Sequence, residues 1–145
     1  MFSENYSRQT AIASATGLVP DDITEGELAQ LARSPESKVR ASVAARRTTP
    51  LTTLLRLQLD DSPAVRAGVA RNERDGMPIE IFQDLAGDKA HEVVAALIGN
   101  PMVPDSIISK LGRQRTKDYS SLARKRLSES KGRSGILGMV GLGSK

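Results

Sequence analysis

The chain has 145 residues, which supports one domain and leaves little room for two. Hydrophobic residues at 39% and charged residues at 26% exclude a wholly disordered chain, and 21 Lys and Arg against 17 Asp and Glu give a mildly basic net charge of +4. The absence of Cys rules out disulfide scaffolds, thiolate zinc sites, iron-sulfur ligation and cysteine nucleophiles; with His91 as the single histidine, no cofactor, metal or enzymatic activity is expected.

At the N-terminus, MFSENYSRQTAIASATG has neither a basic n-region nor a long apolar core, so it does not read as a secretory signal. No stretch approaches the roughly 18 consecutive apolar residues that span a bilayer, and a cytoplasmic location is the default expectation. Residues 8 to 19 read as a half repeat. Ala15-Thr16-Gly17-Leu18-Val19-Pro20 is similar in composition to Ile98-Gly99-Asn100-Pro101-Met102-Val103-Pro104, which makes residues 1–23 an N-terminal cap.

From Thr24 onward an internal repeat runs through the chain. Three segments align from Thr24, Pro50 and Pro78, and a weaker fourth from Pro104, with starts 26, 28 and 26 residues apart. Four residues after each start stands Leu28, Leu54, Phe82 or Ile108, and three residues later Leu31, Leu57, Leu85 or Leu111. That spacing marks one face of a short helix. A polar break follows, as at Asp60-Asp61-Ser62-Pro63 and Gly87-Asp88, and then a second apolar set: Val39 with Val43, Val65 with Val69, Val93 with Leu97, and Leu122 in the last copy. Apolar pairs four apart predict a second helix in each unit. Pro suits a first helical turn, and Thr24 with Glu27 forms a T-x-x-E capping box.

A two-helix unit of this size cannot bury its own apolar face, so neighbours must stack and share a core. The expected fold is all-α: a right-handed α-solenoid of about four short helical-pair repeats over residues 24–130, with terminal caps. A leucine-rich-repeat horseshoe has a similar period, and Leu55, Leu57 and Leu59 alternate as a strand would; the other copies show no such alternation.

The aligned pattern, best seen in Leu54 and Leu57, Asp60-Asp61-Ser62-Pro63 and Val65-Arg66-Ala67-Gly68-Val69-Ala70-Arg71-Asn72, resembles the leucine-rich repeat variant family. Asn100-Pro101 followed by Pro104 looks like that family's linker, and the resemblance covers about residues 8 to 127. It implies a right-handed superhelix of alternating α and 3₁₀ helices without β-sheet. HEAT-like repeats are the nearest competitor. Some members of the family carry a cysteine cluster for an iron-sulfur centre, which a chain without Cys cannot build. The insertion Glu73-Arg74-Asp75-Gly76-Met77 lengthens one linker, and the resemblance brings no catalytic residues.

Two rows of residues recur at equivalent positions. Arg40 and Arg66 form one, followed by Val94; Arg46, Asn72, Asn100 and Lys125 form the other. Equivalent positions in a stack line one surface, so Arg40 and Arg66 read either as a partner-binding stripe or as internal bonds to acidic turns and last-turn carbonyls.

The segment 110–133 carries Lys110, Arg113, Arg115, Lys117, Arg124, Lys125, Arg126, Lys131 and Arg133 against Asp118 and Glu129, whereas 73–100 has six acids and two bases. Three partner classes fit such a basic end: an acidic protein, a nucleic-acid backbone, or an anionic lipid surface touched peripherally. A solvated terminal helix fits it as well. Tyr119 is the one ring nearby, which argues against a single-strand stacking platform.

Residues 131–145 change character again. Glycines at 132, 135, 138 and 141 disfavour a helix, yet Ile136, Leu137, Met139, Val140 and Leu142 are too apolar for a plain linker. The tail reads as a docking segment for its own chain, another copy, a partner or a membrane surface, or as a disordered end. His91 beside Asp88 and Glu92 reads as a surface residue at a helix start, and the Asp pairs 21–22 and 60–61 as caps. The functional expectation is a non-enzymatic protein–protein interaction module, an adaptor or scaffold. It would use Arg40, Arg66, Arg113, Arg115, Lys117, Arg124, Lys125 and Arg126 with Ile136, Leu137, Met139, Val140 and Leu142. The alternative is a sequence-nonspecific nucleic-acid-binding module that uses the same basic face.

Overall fold

The computed structural model describes residues 22–113 and 120–130. The expected N-terminal cap falls almost wholly outside them, and the C-terminal tail entirely so. Among the described residues every regular element is helical and there is no strand. The elements are α1 (Glu25–Leu31), α2 (Ser37–Ala44), α3 (Leu51–Leu57), α4 (Pro63–Ala70), α5 (Ile79–Ala86), α6 (His91–Ile98) and α7 (Asp105–Gly112), followed by a helical segment over 120–130.

Each helix begins for a local reason. At α1 the Thr24 hydroxyl accepts the Glu27 backbone N–H at 3.2 Å, the N-cap half of the expected box, and donates to the Glu27 carboxylate at 3.0 Å. Pro50, Pro78 and Pro104 stand one position earlier than expected, at the N-caps of α3, α5 and α7 rather than inside the first turn. Their φ angles of −58° to −59° and extended ψ set the direction of entry, and their carbonyls accept the first helical N–H groups. Pro63 does occupy the first turn, of α4.

The apolar pairs read from the repeat form the core. Leu28, Leu31, Val39, Val43, Leu54, Leu57, Val65, Val69, Phe82, Leu85, Val93, Leu97, Ile108 and Leu111 are each at most 2% exposed. Leu55 turns outward from α3, Leu57 faces in and Leu59 stands exposed in the turn that follows, so the Leu55-Leu57-Leu59 alternation belongs to a helix end and not to a strand. Within each unit the first helix packs on the second, and each second helix packs on the next, α2 on α4 and α4 on α6. The two extra residues of the lengthened linker are absorbed in the loop before α5, where Gly76 takes a φ of +73° that a side chain would resist.

Gly68 marks a close approach between second helices. A Cβ there would lie 2.7 Å from the Ala41 carbonyl oxygen and 2.9 Å from Ala44 Cβ, so no side chain fits while α2 and α4 keep this spacing.

The fourth copy departs from its expected register. Leu122 is 42% exposed, and Ala123, fully buried, takes the inward position. Counting from the Pro that opens each copy explains it: Val69, Leu97 and Ala123 all stand 19 residues after Pro50, Pro78 and Pro104. The small inward residue was passed over for the larger apolar neighbour.

Candidate interaction surface

Arg40 and Arg66 are each bound to the following unit. Arg40 projects from α2 and grips Asp60 with two parallel bonds, Nε to Oδ2 at 2.9 Å and Nη2 to Oδ1 at 3.1 Å, while Nη1 donates to the Ser34 carbonyl at 2.7 Å. One unit later Arg66 repeats the arrangement with Asp88 at 2.7 and 3.2 Å and the Asp60 carbonyl at 2.7 Å. Asp60 and Asp88 also order the turn that leads into the next helix, accepting the backbone N–H of Ser62 and of Ala90 at 2.9 Å. The guanidinium side chains are 19% exposed and the carboxylates 13% and 11%. The row therefore ties neighbouring units together through planar, two-point contacts.

The electrostatics follow from this geometry. Burial works against ionisation of Asp60, but hydrogen bonds from Arg40 and the Ser62 N–H, with the charges of Arg40 and Arg66, outweigh it and hold the carboxyl below its usual range. Asp88 is lowered in the same way: burial opposes, and Arg66 with the Ala90 N–H prevails. The hydrogen bond to Asp60 raises Arg40 and that to Asp88 raises Arg66, so both pairs stay ionised at neutral pH.

The second row is also internal. Asn72 is fully buried, and its Nδ2 donates at 2.8 Å to the carbonyls of Ala44 and Arg46 while Oδ1 accepts the Arg74 N–H at 2.8 Å. Asn100 repeats this with Ala70 at 2.9 Å, Asn72 at 2.8 Å and the Met102 N–H at 2.9 Å. These amides satisfy carbonyls at the ends of the preceding second helix, which otherwise lack partners.

In the fourth copy the residue in that row is Arg126, not Lys125. It stands 22 residues after Pro104, as Asn72 and Asn100 stand 22 after Pro50 and Pro78. Its guanidinium donates to the carbonyls of Ile98 and Asn100 at 2.8 Å and of Val103 at 2.7 Å, with Asp105 at 3.6 Å. Burial lowers the Arg126 pKa, opposed by the charge of Asp105, because neutral carbonyls supply most of its contacts. Lys125 is exposed on the outer side of the same segment.

Of the expected partner-binding cations, Arg113, Arg124 and Lys125 are thus exposed, whereas Arg40, Arg66 and Arg126 are engaged within the fold. A Cβ on Gly112 would lie 3.7 Å from Ala123 Cβ and 3.8 Å from Arg124 Cγ, which places the end of α7, and with it Arg113, beside the 120–130 segment. Arg115, Lys117, Ile136, Leu137, Met139, Val140 and Leu142 lie outside the described residues.

Next to these cations an open cleft of about 280 Å³ runs between α6 and the 120–130 segment. Ala95, Ile98, Gly99, Pro101 and Leu122 give it an apolar floor, and Lys125, Arg126 and Glu129 form its rim. A wider cleft of about 470 Å³ lies over the turns before α4 and α6, where Asp60 and Asp88 already serve Arg66 and the turn N–H groups. His91 opens α6 on the surface, and among the described residues no group of three His, Asp or Glu is placed to hold a metal ion.

Sequence reasoning offered acidic turns as partners for the arginines without identifying which aspartate each one meets. The signal was present: where Val94 replaces the arginine, Gln114 stands at the aspartate position of the following copy, so both members change at one junction. No protein-family model, curated protein or solved structure matches the chain.

Proposed function

We propose that the chain is a non-enzymatic protein-interaction module, an adaptor or scaffold built as a short right-handed α-solenoid of about four helix-pair repeats with terminal caps. The recurring packing of second helix on second helix supports the stacked arrangement, as does the pair of inter-unit ladders. The carrying observation is the contrast in how polar side chains are used. Within the array they bind neighbouring units; at the C-terminal end Arg113, Arg124 and Lys125 face outward beside an apolar cleft. Exposed charge around an apolar floor suits an acidic protein segment with aliphatic side chains. The exposed apolar positions Leu55, Leu59, Ile79 and Met102 are scattered over other helices and loops and form no part of this site. A cytoplasmic location accompanies this reading; no helix among the described residues is long and apolar enough to cross a membrane.

The same exposed cations favour a second reading, nonspecific contact with a nucleic-acid backbone. The engagement of Arg40 and Arg66 by aspartates weakens it, because a phosphate track along the array would need them. Affinity purification of the tagged chain from its host, with and without nuclease, separates the two. Discrete protein partners that survive nuclease and are lost in an Arg124→Glu, Lys125→Glu variant are the expected result. A nuclease-sensitive mixture whose binding falls steeply with salt would replace the adaptor reading with the second one.

A further inference from the structure

At the last junction between second helices one change bears directly on how closely the helices can approach. Eighteen residues after each copy's start stand Ser42, Gly68, Ala96 and Leu122. At the junction of α2 with α4, Gly68 lies against Ala41, Ala44 and Ala45, so closely that a Cβ would collide with the first two. The residues equivalent to those three, one junction before the chain's basic end, are Ala95, Ile98 and Gly99. Together with Leu122 these three line the 280 Å³ cleft. A leucine where the close approach uses glycine cannot enter the seam: Leu122 stays 42% exposed beside half-buried Ala95 and exposed Gly99, while Ile98, 4% exposed, forms the base of the groove. This groove follows from a substitution in the repeat and is not a generic surface depression.

We propose that the groove between α6 and the 120–130 segment is a binding site for an aliphatic segment, and that in the isolated protein its occupant is residues 136–142 of the same chain. Three observations select that occupant. Leu122, Lys125, Arg126 and Glu129 form one wall of the groove, on the helical segment that leads directly into the tail. Reach is sufficient: Leu122 to Ser130 is eight helical residues, about 12 Å along the axis, and residues 131–135 in extended form span up to about 17 Å. Gly132 and Gly135 fall within that connection and permit the reversal it requires. The chemistry also matches, since Ile136, Leu137, Met139, Val140 and Leu142 are aliphatic or thioether side chains and the groove floor offers Ala95, Ile98, Pro101 and Leu122. Binding in this manner gives the groove a regulatory role: a partner that engages it must first displace the tail, which lowers apparent affinity in proportion to the occupied fraction.

The chain has no Cys, so a nitroxide attached through Ser144→Cys reports from one place. With the full chain isotopically labelled, the expected result is selective broadening of the methyl signals of Ala95, Ile98 and Leu122 while those of Leu28 and Leu31, in α1, stay sharp. Adding Leu137→Asp and Val140→Asp, which lie outside the described core, should abolish the broadening and leave the remaining spectrum unchanged. Absence of broadening at the groove, or broadening that persists in the double variant, overturns the proposal. So does broadening seen when nitroxide and isotope are on different molecules, which would assign the groove to a second copy's tail. No partner is present in the experiment, so its outcome is independent of the adaptor reading.

Discussion

The α2–α4 and α6–terminal junctions are built from equivalent positions and do opposite things. At the first, Gly68 admits the neighbouring helix, Arg40 reaches Asp60, and buried Asn72 bridges the carbonyls of Ala44 and Arg46. At the last, Leu122 replaces the small residue, Val94 and Gln114 replace the Arg and Asp, and Arg126 replaces the Asn. Only the carbonyl bridge survives, enlarged from an amide to a guanidinium that meets three carbonyls. A closed seam thus needs three coordinated choices. Relaxing two of them while keeping the third holds the terminal segment in place and leaves a groove beside it.

The most severe way to break this contrast is to remove the bridge. Asn100→Leu deletes donations to Ala70 and Asn72 and leaves those carbonyls and the Met102 N–H without their partner in a site that is 2% exposed. A loss of about 3 kcal/mol is expected, from two or three buried groups left unpaired. That is a large share of a small domain's total. Arg126→Leu removes as many hydrogen bonds, but at the end of the array its effect should be confined to the terminal segment. Hydrogen exchange checks the pair: Asn100→Leu should lower protection in α2, α4 and α6 together, and Arg126→Leu only in 120–130. Equal, global loss in both would mean that the terminal junction is no weaker than the others.

The ionic ladder is the next term, and pH resolves it. Asp88→Asn leaves the Arg66 guanidinium, 19% exposed, facing a neutral amide. At neutral pH about 2 kcal/mol should be lost, the scale of charge-assisted hydrogen bonds in a partly buried pair. The folded-state pKa of Asp88 is depressed, so the stability it contributes is complete above the unfolded carboxyl's value of about 4 and disappears as pH falls through the folded value. The gap between wild type and Asp88→Asn in urea unfolding should therefore be full at pH 6 and shrink below pH 4. A gap that does not change with pH would show that shape, not charge, holds this junction.

How far the sequence carried follows from the same positions. Periodicity located the helices and nearly all of the core, because apolar residues three and four apart have one way to be buried together. The fourth copy was misread by one residue: Leu122 is the more apolar side chain, but alignment from Pro104 puts Ala123 inside and Arg126, not Lys125, on the carbonyls. Hydrophobicity outweighed register there, where the size of the seam decides. For Arg40 and Arg66 the residues were legible, and so was the option of internal bonds to acidic turns, but not which aspartate each one meets. A bidentate partner 20 or 22 residues away depends on how one unit sits on the next, which the spacing within a unit does not specify. The coupled change at Val94 and Gln114 was the one sequence trace of that geometry.

The weakest prediction sharpens the comparison by holding chemistry constant and changing exposure. Arg47 and Glu73 also join consecutive units, with Nη2 3.1 Å from Oε2, a distance no worse than those within the ladder. Their side chains are 70% and 40% exposed, and the structure gives the pair a single contact where Arg40 and Arg66 have two-point grips and a carbonyl besides. Water competes fully for both groups, and ordering two long side chains offsets most of the attraction. Arg47→Ala should therefore change the stability read from urea unfolding by no more than about 0.5 kcal/mol. A loss approaching that of Asp88→Asn would mean that any Arg–carboxylate link between units stabilises the array. The ladder's effect would then come from pairing alone, and not from the partial burial that lets Asp60 and Asp88 hold a cation and order a turn together.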